Sequence, residues 1–211
     1  MSRGRPSCVI GSVDRETELA LVKRLRNGDA DAFDEAYSAF NTCLFTFLLR
    51  LSRRRDVAED LLEETWLRLV KHASRLRPDT RLGPWLFTVA RNLHVSFSRS
   101  RLLEDSVAAS LIAIWPCSLE RCSPFEAVAA SELEARIERA LAAMPSASRE
   151  VLLLVGVAGM NHSDAADVCG ITPEALRQRL HRARETLSKA LQRDATAEVP
   201  AMGGITSCPT R

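Results

Sequence analysis

Apolar residues return every three or four positions through most of this chain, the interval that gives an α-helix one buried face. From Ala30 to Leu51 the series is Phe33, Ala36, Tyr37, Phe40, Leu44, Phe47, Leu48 and Leu51. After the basic break "SRRRD", Asp56 opens a second series with Val57, Leu61, Leu62, Trp66, Leu67 and Val70. A shorter helix is expected over Glu16–Arg26, ending at "NGD". "RLRPDTRLGP" reads as a loop punctuated by Pro78, Gly83 and Pro84, and a fourth helix should run from Trp85 to Arg101. Four such helices can bury one core without any strand.

Beyond Arg101 the pattern fades. "SLIAIWPCSLERCSP" is low in charge and too apolar for a solvated spacer, so residues 102–124 are expected to form a linker lying against a partner or the domains. Periodicity resumes at Pro124 in "PFEAVAASELEARIERALAAM" and continues in "REVLLLVGVAGM". The last eighteen residues, from Asp194, are small, polar and interrupted by Gly and Pro, as in a disordered tail. The fold class is therefore all-α. Two small helical domains, 16–101 and 125–193, are joined by a linker and flanked by tails at 1–15 and 194–211.

The last helical stretch, "GITPEALRQRLHRARETL", carries the most chemistry. Thr172 is a good N-cap, Pro173 suits the first helical position, and Glu174 faces the positive end of the helix dipole. Leu176, Leu180, Ala183 and Leu187 share one apolar stripe, and Arg177, Gln178, His181 and Arg182 project from the opposite face. Just upstream, "SDAADVCGITPEAL" places the small Ala166 where two helices must approach, Gly170 at a tight turn, and Leu176 as the next apolar anchor. That spacing is a helix-turn-helix, whose second helix enters the DNA major groove. There Arg can bond a guanine edge and Gln an adenine edge through paired hydrogen bonds.

Charge adds a second contact surface. The net charge of +2 over 211 residues hides segregation. Asp56–Val70 holds five acids (Asp56, Glu59, Asp60, Glu63, Glu64) and one base, Arg68, whereas Lys71–Arg101 holds seven bases and one acid, Asp79. Thr172–Arg193 holds six bases against two acids. Two basic surfaces and one acidic helix fit two contacts with nucleic acid and one with a basic protein surface. The six cysteines form no CxxC pair; Cys43 and Cys169 fall at core positions, while Cys117 and Cys122 could pair or sense oxidation. No apolar run approaches the ~20 residues of a membrane span, and "MSRGRPSCVIGS" lacks the apolar core of a signal peptide, so a cytoplasmic protein without membrane insertion is expected.

Together the two halves resemble the extracytoplasmic-function (ECF) class of the bacterial sigma-70 family. The likeness runs through "NGDADAFDEAYSAF", "DVAEDLLEETWLRLVKHASRL" and "GPWLFTVARNLHVSFSR", then "MPSASREVLLLVGVAGMNHSDAADVCGITPEALRQRLHRARETL". It covers most of residues 18–101 and 125–191. The resemblance implies a factor that binds bacterial core RNA polymerase, recognises two promoter elements and helps to open the DNA. It assigns Asp60, Glu63 and Glu64 to polymerase docking. Lys71, Arg75, Arg77, Arg81, Arg91 and Arg99 would neutralise phosphates at the minus-ten element, with Asn92 reading a base flipped from the non-template single strand and Trp85 a stacking platform. Arg177, Gln178, His181 and Arg182 would read the double-stranded minus-thirty-five element, and Arg149 and Arg184 would hold its phosphates. An anti-sigma factor is the expected regulatory partner. Two departures from the family's pattern, Ala at 165 and His at 162, are expected to thin the helix-turn-helix core by about 1 kcal/mol each.

The alternative is a helix-turn-helix regulator that binds DNA without joining polymerase, which leaves the acidic helix and "WLFTVARN" without a role. An enzyme is not expected. There is no Gly-rich phosphate loop, no metal-spaced His/Cys/carboxylate cluster and no nucleophile motif with a base, so neither cofactor nor metal is expected.

Overall fold

The computed structural model describes residues 15–111 and 132–197, with side chains over 15–101 and 136–193. Within them lie eight α-helices: α1 (Arg15–Arg26), α2 (Ala30–Ser52), α3 (Arg55–His72), α4 (Leu82–Leu111), α5 (Glu132–Ala143), α6 (Ser146–Gly156), α7 (His162–Cys169) and α8 (Pro173–Ala197). A single 3-10 turn, Ala73–Arg75, follows α3. No strand occurs among the described residues. No helix of the described residues is long and apolar enough to cross a membrane. The expected linker cysteines Cys117 and Cys122, the start of a helix at Pro124 and most of the C-terminal tail lie outside the described residues.

In the N-terminal bundle α2 is the central helix. Its Phe40, Leu44, Phe47 and Leu48 are buried against Leu69 of α3 and Leu82, Leu86 and Phe87 of α4. The Phe47 and Phe87 rings meet at 5.2 Å. Local chemistry sets the ends of α2. The Asp29 carboxylate caps its first turn, accepting from the Asp31 and Ala32 amides at 3.0 and 3.3 Å. Arg53 ends it in the left-handed region (φ 60°), donating its amide to Leu49 O at 2.8 Å.

The fourth helix differs from expectation at both ends. It starts at Leu82, before Gly83 and Pro84, and closes its first turn with Trp85 N–H to Arg81 O at 3.0 Å. A proline there removes an amide that has no intrahelical partner in any case, so it costs the helix no bond. At the other end α4 continues to Leu111, ten residues into the expected linker.

In the C-terminal bundle α8 packs against α5, α6 and α7, burying Leu176, Leu180 and Ala183 against Leu153, Leu154 and Val168. The helix-turn-helix is built as the spacing implies. Asn161 caps α7 by accepting from the Asp164 amide at 2.9 Å. Gly170 ends it at φ 65°, ψ 38°, a left-handed conformation that a side chain would strain. Thr172 Oγ1 then accepts from Ala175 N–H at 3.2 Å to open α8. Ala165 is fully buried in this core, but His162 is exposed, so only the first departure touches packing.

The two bundles touch. α4 lies on α7, and α2 on α5 and α6.

Candidate nucleic-acid interface

The outward face of α8 is an ordered row of donors. Arg177, Gln178, His181, Arg182 and Arg184 are all exposed, while Leu176, Leu180 and Ala183 on the opposite side are buried. Arg177 is held by Glu174 one turn back, at 2.6 Å. Both side chains are more than half exposed, so this pair is easily exchanged for a nucleic-acid acceptor. His181 and Glu185 lie 3.8 Å apart on the same face. Arg182 and Arg184 form no ion pair among the described residues.

The second basic surface follows α3. Lys71, Arg75, Arg77 and Arg99 are exposed, with Arg77 hydrogen-bonded to Asp79 at 3.0–3.1 Å. Asn92 is exposed on α4, its carbonyl facing Arg91 Nη1 at 3.4 Å. Trp85 is half-buried, packed against the core with part of its ring accessible. Arg81 and Arg91 are committed elsewhere. Arg81 pairs with Asp164 of α7, and Arg91 Nε reaches Glu150 Oε1 of α6 at 2.5 Å. Burial pushes the Asp164 carboxyl above its ordinary range, although Arg81 and Asn161 act to lower it.

Arg149 is the residue whose surroundings differ most from expectation. It is only 5% exposed and faces carbonyls, not solvent. Nε donates to Leu141 O at 2.8 Å, Nη2 to Met144 O at 2.8 Å and Ala142 O at 3.2 Å, and Nη1 to Leu51 O at 3.1 Å. The guanidinium thus closes the C-terminal ends of α5 and α2, where orphan carbonyls and both helix dipoles favour a cation. In this arrangement it cannot hold a phosphate. Burial lowers its pKa, and burial with the nearby Arg149 charge also pushes the His94 imidazole down.

The acidic helix presents one mixed stripe. Asp60, Glu63, Leu67 and Val70 recur at helical spacing and are all exposed, Leu67 by 44% and Val70 by 60%. Asp60 and Glu63 form no ion pair among the described residues. Glu64 lies beside the stripe, paired to Arg68 at 2.9 Å, and that hydrogen bond holds its carboxyl below the ordinary range. Among the described residues no group of three or more His, Cys, Asp or Glu side chains is placed to hold a metal. Cys43 and Cys169 are both buried, and burial with Glu150 nearby pushes the Cys169 thiol up to about 12, which leaves it unreactive.

Two family models match this chain: sigma-70 region 2 over residues 36–102 and sigma-70 region 4 over residues 134–187. Together they span more than half of it. The ECF RNA polymerase sigma factor EcfG of Rhodopseudomonas palustris is 35% identical over 155 residues, 74% of this chain and 82% of that protein. The chain belongs to the sigma-70 family. The RNA polymerase sigma factor CarQ of Myxococcus xanthus is 31% identical over 170 residues, 81% of this chain and 95% of that one. In fold, this sigma factor resembles the sigma factor RpoE of Bartonella quintana, solved in complex with the anti-sigma factor NepR. The TM-score is 0.63 at 27% identity, covering 77% of this chain and 98% of that one.

As an ECF-type sigma-70 factor, the protein binds core RNA polymerase and directs promoter recognition, local melting and transcription initiation. The region 2 match takes in the acidic α3 and the basic segment after it, and the region 4 match takes in the helix-turn-helix. Three features of the sigma factor's surface escape sequence reasoning. Leu67 and Val70 read as core residues but are exposed; Tyr37 is 42% exposed over the Trp66 ring, 5.0 Å away; and Glu150 and Asp164 are buried partners of basic residues across the bundle boundary. A surplus of apolar positions on α3 was the available signal for the first, since one core cannot bury every face of a helix.

Proposed function

We propose that residues 16–101 carry the polymerase contact and read the minus-ten element, that residues 125–193 read the minus-thirty-five element, and that the segment around 102–124 joins them. The α3 stripe docks on polymerase, with Asp60 and Glu63 as free carboxylates, Glu64 at its edge, and Leu67 and Val70 as the apolar part. Lys71, Arg75, Arg77 and Arg99 neutralise phosphate, and Arg81 and Arg91 join them on exchanging Asp164 and Glu150 for phosphate. Asn92 reads a base drawn from the non-template strand, and the accessible part of Trp85 supports it. Extruding a base costs a few kcal/mol, and stacking on an aromatic returns roughly 1–3 kcal/mol. Arg177, Gln178, His181 and Arg182 read the major groove, with Arg184 on phosphate. The observation that carries this reading is the α8 face: a row of exposed donors on a helix whose other side is locked into a helix-turn-helix core.

The chain contributes no catalysis of its own; nucleotidyl transfer belongs to the polymerase. It works in the cytoplasm, under an anti-sigma factor of the kind that NepR is for RpoE. The docking surface is tested by measuring core-polymerase affinity for Glu63→Ala/Leu67→Ala. Both side chains are exposed, so folding should be unaffected while affinity falls at least tenfold, about 1.4 kcal/mol. Unchanged affinity would remove α3 from the interface.

A further inference from the structure

We propose that Arg15 and Glu18 of α1 are positioning residues for promoter reading, which fix the backbone path between α3 and α4 and so aim the side chains that meet the minus-ten element. The inference rests on the assignment of Arg77, Trp85 and Asn92 to that element, and it names what holds them in place.

The path from Leu76 to Arg81 turns at Pro78, where Thr80 N–H donates to Arg77 O at 3.0 Å. Leu76 and Leu82, at its two ends, are buried in one core with Leu21, Val22 and Leu25 of α1. Between those anchors α1 grips the backbone twice. Arg15 Nη2 donates to Asp79 O at 2.8 Å, and Glu18 Oε1 accepts from the Gly83 amide at 3.4 Å. The two gripping side chains are also bonded to each other, Arg15 Nη1 to Glu18 Oε2 at 3.0 Å.

The start of α4 explains the second grip. Arg81, at its N-cap position, carries no side-chain acceptor, Pro84 has no amide, and Trp85 N–H is taken by Arg81 O at 3.0 Å. Glu18 supplies an acceptor from another helix and sets a negative charge at the positive end of the α4 dipole. It is only 7% exposed, and a carboxylate so deeply buried is costly unless paired; here both of its oxygens are engaged.

Both grips land on backbone atoms, which leaves the side chains of the loop free for DNA. The Asp79 carboxylate in turn holds Arg77 at 3.0–3.1 Å, so a continuous chain of bonds runs from buried Glu18 through Arg15 and Asp79 to exposed Arg77. Beyond Gly83, Trp85 and Asn92 share one face of α4, two turns apart, so a tilt at the start of the helix moves both together. A binding constellation has to be held within about 0.5 Å. The Arg15 side chain is 45% exposed, so its bonds add little to overall stability; their effect is on where the loop sits.

The experiment compares wild type, Arg15→Ala and Glu18→Ala as full chains. Initiation with core polymerase is measured on a promoter that wild type selects from genomic fragments, with each base of its two elements replaced in turn. Hydrogen exchange at residues 77–85 reads the loop backbone directly, and Asn92→Ala is the reference for lost base reading. Both α1 variants should speed that exchange and lower discrimination at the minus-ten base read by Asn92 about tenfold. Discrimination across the minus-thirty-five element should stay within about twofold of wild type. Initiation that falls equally on all promoters, with the ratios between bases unchanged, is what a purely structural role would give and overturns the proposal. Unchanged exchange at 77–85 overturns it too. Because Arg15 is half exposed, Arg15→Ala decides the matter even where Glu18→Ala fails to fold. If Asn92→Ala flattens minus-ten discrimination and the α1 variants do not, the positioning role alone falls. If Asn92→Ala leaves it intact as well, the minus-ten assignment fails and the positioning role falls with it.

Discussion

Arg149 shows how a single residue can change role once its neighbours are known. Beside a helix-turn-helix a basic residue reads as a phosphate contact, yet this one donates to Leu141, Ala142, Met144 and Leu51 carbonyls from a nearly closed pocket. Arg149→Ala would strand those acceptors and is expected to destabilise the fold by about 3 kcal/mol, measurable by urea unfolding. Arg149→Lys should recover little of it, because one ammonium cannot reproduce a planar fork that serves two helix ends. Full stability together with weaker DNA binding would return Arg149 to the phosphate surface. Nothing in the sequence announces the pocket, since Leu51 lies 98 positions away and the acceptors are backbone atoms. The buried thiols were legible, by contrast, because Cys43 and Cys169 sit in phase with apolar neighbours.

At the scale of elements, periodicity carried most of the reading. The α8 stripe of Leu176, Leu180 and Ala183 is buried where the spacing put it, and Gly170 takes the left-handed turn that divides α7 from α8. The exposed row opposite predicts that Arg177→Ala will relax discrimination at one position of the upstream element. The expected cost is about 1–3 kcal/mol for the cognate base, read by competition binding against a set of single-base changes. A uniform loss over all sequences would make Arg177 a phosphate contact. Where periodicity failed, it lacked information about neighbours. Leu67 and Val70 lie on the side of α3 away from Val57, Leu61 and Leu69, in line with Asp60 and Glu63, and whether a second apolar face of a helix is covered depends on helices that the local pattern does not contain. The start of α4 failed for another reason. Gly83 and Pro84 read as loop residues, although a first turn tolerates proline because its amides are unpaired anyway.

For the molecule as a whole, the count of two helical bundles and the polarity of their surfaces could be read from the chain, because segregated charge survives any detail of packing. The way the bundles meet could not. Glu150 and Asp164 are isolated carboxylates in sequence, and only the fold brings them to Arg91 and Arg81. One acidic helix, a basic segment beside it and a helix-turn-helix in a second bundle make sense together if each contacts a different part of one transcription complex. The most direct test is transcription in vitro with sigma-free bacterial core polymerase, this protein and a pool of genomic promoters. Discrete start sites should appear only when the protein is added, and they should share two spaced upstream elements. Sequence-specific binding to duplex DNA without any initiation would instead leave a helix-turn-helix regulator that acts apart from polymerase.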